Sequence, residues 1–316
     1  MYKSFFGLRE NPFNANPDPR YLFLTREIQE ALAGLAYGIK NRKGFILLTG
    51  EVGTGKTTLL NRLVDWLNLE GVATAYIFNS QLDINQLFDF MMADFGIPCE
   101  SRDKSHVLMR LNHWLLQRYR DRKTSVLIVD EAQNLSFEVL EEIRLLTNFE
   151  TANEKLLQIV LSGQPELEEK LRDPRLRQLR QRITMRCRTQ PLSHDEMAGY
   201  ISERLRIAGA NGTPIFSPEA IEAIYKYSRG IPRVANLLCE NSLVNSFVDQ
   251  VKPVAPAVVH EAAHEFELDE LDPLARPVVH NGEDPSKTVE GLLRSLNHLL
   301  EEMGRKNSIA VHERKP

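Results

Sequence analysis

The segment GEVGTGKT at 50–57 joins an apolar run, FILLT at 45–49, to a stretch with helical patterning, and its residue types suit the binding of a nucleoside triphosphate. Gly50, Gly53 and Gly55 lack a Cβ, so the backbone there is expected to take positive φ and turn successive N–H groups onto anionic oxygens at a helix N-terminus. Lys56 is placed to reach the β- and γ-phosphates and Thr57 to hold Mg²⁺. The nucleotide-binding set is therefore Gly50, Glu51, Val52, Gly53, Thr54, Gly55, Lys56, Thr57 and Thr58. Leu59, Leu60, Leu63, Val64 and Leu67 recur on one face of the helix that must follow.

A second run, VLIVDEAQNL at 126–135, drives four apolar residues straight into two carboxylates, as a buried strand delivering acid to its C-terminal edge would. Asp130 fits a partner of Mg²⁺, direct or one shell out, and Glu131 fits the base that polarises an attacking water. The pair points to the hydrolytic branch of phosphate-loop ATPases. After a later strand, LQIVLSGQPEL puts Ser162 and Gln164 at the same edge, where a neutral polar group either senses the γ-phosphate or caps the next turn.

Seven arginines follow within a short span: Arg172, Arg175, Arg177, Arg180, Arg182, Arg186 and Arg188. Singly they suit a solvated face. One or two could also serve as arginine fingers in a neighbouring subunit, a role worth ~10³ or more in rate, or the cluster could meet nucleic-acid phosphates. Further on, GIPR at 230–233 sets Arg233 at the start of a helix, from which an arginine can report a γ-phosphate and turn chemistry into movement.

The elements that must carry these residues alternate. Strand candidates at 45–49, 74–78, 126–130, 156–161 and 183–189 are separated by helical segments, which predicts a parallel sheet covered on both faces. Past Pro191 the pattern turns helical, at 194–208, 217–228, 234–248 and 257–266, with Ser193 and Ser217 as N-caps. Beyond 268 comes an acidic, proline-bearing linker, and then Val289, Leu292, Leu296, Leu299 and Met303 at a/d spacing. These are read either as a helix that docks on its own domain or as a tethered module for a partner.

At 316 residues and 42% hydrophobic, the chain is long enough for two compact units and a tail. A net charge of −4 argues against a uniformly basic nucleic-acid coat. Cys99, Cys187 and Cys239 are widely spaced, as reduced thiols in the cytoplasm would be. The opening MYKSFFGLRENPF has no signal-peptide pattern, and no apolar stretch reaches the ~20 residues of a bilayer span.

Taken in order, FFGLRENPFNANPDPRYLFLTRE, GEVGTGKTTL, DEAQNL, LLQIVLSGQPEL, LRQRI and GIPRVANLLC resemble the AAA+ ATPases, and within them the general secretion pathway protein A-like family with its relatives at exopolysaccharide and protein-sorting loci. The resemblance covers roughly residues 1–268. It implies an α/β fold, a phosphate-loop (AAA+) parallel five-stranded sheet ordered 5-1-4-3-2, with a C-terminal all-helical lid domain. The domains are then 1–190 for the ATPase α/β unit, 191–268 for the lid, 269–287 for the linker, and 288–316 for the amphipathic helix and tail.

Gln164 looks like the first sensor, Arg182 like the finger with Arg180 as its alternate, Arg233 like the second sensor, and 21–27 like the adenine-bracketing segment. The resemblance further implies ATP with Mg²⁺ between subunits of a homo-oligomer, envelope secretion or export proteins as partners, and a cytoplasmic place, peripheral at the inner membrane through a partner. Members often continue into a membrane span and a peptidoglycan-binding domain, where this sequence has the linker and short helix. A different class, a DNA-associated regulator similar to the transposition ATPases TnsC and MuB, shares the QPEL-like strand end.

Overall fold

The structure, a computed structural model, describes residues 2–78, 81–98 and 103–268. The linker and amphipathic helix expected beyond 268 lie outside the described residues. In chain order the elements are α1 (Tyr2–Phe6), α2 (Arg26–Lys40), β1 (Phe45–Thr49), α3 (Lys56–Leu69), β2 (Ala73–Ile77), α4 (Ile84–Asp94), α5 (Lys104–Arg120), β3 (Ser125–Val129), α6 (Phe137–Leu146), β4 (Leu157–Gly163), α7 (Pro165–Leu171), α8 (Arg177–Arg182), β5 (Ile183–Arg188), α9 (His194–Ile207), α10 (Pro218–Ser228), α11 (Pro232–Val248) and α12 (Pro256–Glu265).

All strand pairs are parallel, in the order β2-β3-β4-β1-β5, which is the expected order read from the other edge. Because side chains alternate along a strand, each strand feeds both faces. Phe45, Leu47, Leu127, Val129, Ile159 and Leu161 join the core against α4 to α8. Ile46, Leu48, Val126, Ile128 and Val160 join the core against α2 and α3. Burial on both faces is why the centres of β1, β3 and β4 (45–48, 126–129 and 159–161) are apolar runs, whereas the edge strands β2 and β5 are only partly buried. Each fully buried leucine or isoleucine in these layers contributes about 1.5–3 kcal/mol.

The helices α9 to α12 enclose a third core. Ser193 caps α9 in a reciprocal capping box with Glu196, and the Ser217 hydroxyl accepts the Ala220 amide at the start of α10, as their types predicted. The N-terminal residues were assigned to the α/β unit, but Phe6, Leu8 and Phe13 are buried in this helical core. With no strand of their own, these apolar side chains are covered by residues of the helical unit. Phe5 meets Phe247 at 5.6 Å between ring centroids and Phe13 meets Phe216 at 6.1 Å. The buried Arg204 of α9 ties down this N-terminal strap, residues 2–21, donating from Nε to Pro12 O at 2.6 Å and lying 4.5 Å from the centre of the Tyr21 ring.

Candidate nucleotide-binding and hydrolysis site

The C-terminal ends of β1, β3 and β4 converge, and the residues singled out for chemistry stand on the turns that leave them. Between Thr49 and Lys56 the loop bends through Gly53 (φ +80°) and Gly55 (φ +94°), both left-handed as expected. Gly50 is not left-handed. It is needed for space, because a Cβ there would lie 2.0 Å from Thr189 Oγ1 and 2.7 Å from Thr189 O. Thr54 Oγ1 donates to Glu51 O at 2.8 Å, so Thr189, 2.7 Å away, is its donor, and the loop is fastened to the residue after β5. Gly55 N-caps α3 without a side-chain hydrogen bond, which leaves the first amides of α3 to an anion. Val52 and Glu51 are exposed on the loop, and Thr58 follows Thr57 into α3.

Lys56 is 5% exposed and donates to Gly50 O at 2.8 Å and Glu51 O at 3.0 Å. Burial pulls its ammonium below the usual lysine value, opposed by the carboxylates of Glu131, Asp130 and Glu51. Thr57 Oγ1 donates to Asp130 Oδ2 at 2.9 Å, and Tyr76 OH, reaching from β2, donates to the same oxygen at 3.2 Å. Asp130 Oδ1 accepts the Glu131 amide at 3.0 Å. A hydroxyl facing a buried carboxylate is the hard oxygen set that suits Mg²⁺, so Thr57 and Asp130 fit that ion.

Glu131 occupies a left-handed conformation (φ +52°), a strain of about 1–3 kcal/mol in a residue with a Cβ, of the kind that gathers at working sites. Its Oε2 accepts two amides, Gln133 Nε2 at 2.6 Å and Gln164 Nε2 at 3.2 Å. Gln164 thus joins the acidic pair. Ser162 does not: its side chain is fully buried inside β4 and its hydroxyl has no hydrogen-bond partner among the described residues.

Of the arginines, Arg188 pairs with Glu168, which also accepts Thr49 Oγ1 at 2.7 Å. Arg175 pairs with Asp173 and lies 3.6 Å from the centre of the Phe137 ring. Arg182 donates from Nη1 to Thr147 Oγ1 at 2.6 Å, while Arg180 is exposed. From the helical unit, the Arg233 amide donates to Gly53 O at 3.2 Å, placing the start of α11 on the phosphate loop. On the other flank, Asn61 of α3 donates to Pro17 O at 2.9 Å, just ahead of the segment expected to bracket adenine.

Tyr76, Gln133 and Thr189 were not singled out by sequence reasoning. Tyr76 sits in a strand pattern in which nothing marks its hydroxyl. Gln133 had a signal, an amide two residues after the second carboxylate. For Thr189 only the sheet order, which brings β5 beside β1, reveals the contact.

Residues 39–171 match the AAA domain family. Over 266 residues the chain is 44% identical to General secretion pathway protein A of Aeromonas hydrophila, an alignment that covers 84% of this chain and 48% of that protein. The chain thus spans about half the length of the curated relative it matches. Among solved structures, the ORC2 protein of Aeropyrum pernix in ADPNP–ADP complexes aligns with a TM-score of 0.60 and 18% identity, over 83% of this chain and 75% of that one. Cdc6p of Pyrobaculum aerophilum aligns at 0.60 and 22%, over 76% and 66%. The RuvB Holliday junction branch migration motor of Thermotoga maritima aligns at 0.54 and 17%, over 80% and 73%. At these identities the likeness to the three structures is one of fold.

Proposed function

Because the chain belongs to the AAA+ ATPases, as a relative of general secretion pathway protein A, we propose that it is an ATP-hydrolysing motor or switch that assists assembly or regulation of an envelope secretion or polysaccharide-export system. The observation that carries the hydrolytic part is the Thr57–Asp130 hydrogen bond beside a Glu131 carboxylate gripped by two glutamine amides. A loop that only bound nucleotide would not need the second carboxylate.

In this reading the amides at the start of α3 and Lys56 hold the phosphates, and Thr57 and Asp130 would hold Mg²⁺, which would supply positive charge to the triphosphate. Glu131 takes the proton from the attacking water, Gln164 senses the γ-phosphate, and Arg233 carries that information to the helical unit. Arg182 or Arg180 completes the site of a neighbouring subunit in a homo-oligomer. The secretion partner rests on the identity to the Aeromonas hydrophila protein. No helix among the described residues is long and apolar enough to cross a membrane, so attachment to the envelope is proposed through a partner.

The test compares nucleotide binding and steady-state turnover in three forms of the chain. Lys56→Ala is expected to lose tight ATP binding. Glu131→Gln is expected to keep it and lose turnover, because Lys56 acts on ground-state charge and Glu131 only on the water. Near-native turnover in Glu131→Gln sinks the assignment. Capture on ATP-locked Glu131→Gln should recover envelope export proteins, and recovery of DNA would replace that partner with the DNA-associated class.

A further inference from the structure

The catalytic carboxylate and the sensing glutamine are joined through a third side chain. Gln133 stands on the short 3-10 turn at Ala132–Asn134, between Glu131 and α6. Its amide nitrogen donates to Glu131 Oε2 at 2.6 Å, and its amide oxygen accepts the backbone N–H of Gln164 at 3.2 Å. Both ends of one planar group are therefore used, one on the acid that follows β3 and the other on the residue that follows β4. The Gln164 side chain grips the same carboxylate oxygen from the other side, more loosely, at 3.2 Å.

Two independent features hold Gln133 in this bridge. Lys170 of α7 donates from Nζ to the Gln133 carbonyl at 3.0 Å, which fixes the backbone of the turn. Gly163, the last residue of β4, leaves room for the amide: a Cβ there would come within 2.8 Å of Gln133 Oε1 and 2.8 Å of Leu167 Cδ2.

The arrangement solves a geometric problem. When the Gln164 side-chain amide turns from Glu131 toward a γ-phosphate, a carboxylate held by that amide alone would lose its orientation just as the water attacks the phosphate. A base misplaced by 1 Å can cost about a hundredfold in rate. Gln133 has no such second task, makes the shorter bond, and leaves Glu131 Oε1 available to the water. It also anchors the Gln164 backbone, so the sensor can swing without the strand end shifting.

We propose that Gln133 is the positioning residue for hydrolysis: it holds Glu131 Oε2 throughout the cycle and couples that carboxylate to Gln164, so that the sensor exchanges Glu131 for phosphate without releasing the base. This rests on the hydrolytic reading given above.

The test uses the full chain with Gln133→Met, which keeps length and volume but removes both polar ends, and Gln133→Asn, which keeps the amide but is too short to span the two partners. ATP affinity, kcat and melting temperature are measured for each beside the native chain, Glu131→Gln, Gln164→Met and the Gln133→Met/Gln164→Met double form. For both Gln133 variants, kcat is expected to fall about tenfold to about a hundredfold. ATP affinity should stay within about twofold of native and the melting temperature within a few degrees, as a split between positioning and binding requires. The double form should lose much less than the product of the two single losses, because each loss acts through the same carboxylate.

An undiminished kcat in Gln133→Met, or losses of Gln133 and Gln164 that multiply, overturns the coupling. A fall in ATP affinity that tracks the fall in kcat in both variants marks Gln133 as structural and overturns it too. Native turnover that Glu131→Gln leaves intact overturns the hydrolytic reading instead, and this inference with it.

Discussion

The backbone amide of Arg233, at the start of α11, donates to the carbonyl of Gly53 in the phosphate loop at 3.2 Å. The helical unit is therefore attached at the point where phosphate would be gripped, and the two move together or break this bond. The packing around it is close: a Cβ added at Gly53 would lie 2.7 Å from Arg233 Cβ and 3.0 Å from Ile231 Cγ2, on a backbone at φ +80°.

Gly53→Ala is accordingly expected to destabilise the nucleotide-free chain more than Gly55→Ala. The second site has φ +94° but nothing within 4 Å of an added Cβ, so it bears backbone strain alone, about 1–3 kcal/mol. Arg233→Ala keeps both Cβ and amide, so its melting temperature should stay near native while its response to bound ATP is lost. Thermal melts of the three variants with and without ATP check the ordering. Equal melting temperatures for the two glycine variants would show that α11 does not press on the loop.

Tyr76 shares Asp130 Oδ2 with Thr57, so Tyr76→Phe removes one of the donors that fix this carboxylate. A hydrogen bond to a charged group is worth about 1.5–3 kcal/mol, and Asp130 keeps its others, so the concentration of Mg²⁺ giving half-maximal nucleotide binding should rise several-fold while binding at saturating Mg²⁺ is nearly native. An unchanged Mg²⁺ dependence would show that Thr57 and the Glu131 amide hold Asp130 unaided.

The finger has two candidates with different surroundings. Arg182 is already bonded within its own chain, to Thr147 Oγ1 at 2.6 Å, whereas the exposed side chain of Arg180 makes no ion pair or hydrogen bond among the described residues. Arg180→Ala is therefore expected to lose more turnover than Arg182→Ala, which should lower the melting temperature instead. Mixing Arg180→Ala with Lys56→Ala subunits should restore some hydrolysis, because some interfaces then pair an intact loop with an intact finger. A mixture that co-assembles and stays inactive removes Arg180 from the role.

Much of this site was legible in the sequence for a physical reason. A strand buried on both faces favours a run of apolar residues, so FILLT and VLIV announced themselves, and the polar residues just past VLIV stand at the sheet edge. Gln164 was found by the same logic. What escaped were contacts made across the fold by side chains with ordinary local settings. Thr189 touches Thr54 only because β5 lies beside β1, and Phe6 and Phe13 reach the helical core only because the strap crosses to it. Ser162 was misplaced at the edge because LSG continues β4 by two residues beyond the expected end, which carries its hydroxyl into the buried layer.

The strap also contains a titrating contact. Glu240 of α11 accepts Tyr2 OH at 2.9 Å and Asn11 Nδ2 at 2.9 Å, and burial raises its carboxyl above the usual value of 4.5 despite those two bonds. A carboxyl whose folded value is raised binds its proton more tightly in the native state than in the unfolded chain. Stability from this site is therefore full below the unfolded value and is lost as pH rises through the folded one. Glu240→Gln keeps an acceptor for Tyr2 and removes the titration. The melting temperature of the variant minus that of the native chain should thus increase as pH is raised from about 4.5 to about 8, with every other titrating group common to both proteins. A difference that is flat with pH, or that shrinks, would show that the Tyr2 and Asn11 bonds outweigh burial and that the carboxylate form stabilises the strap.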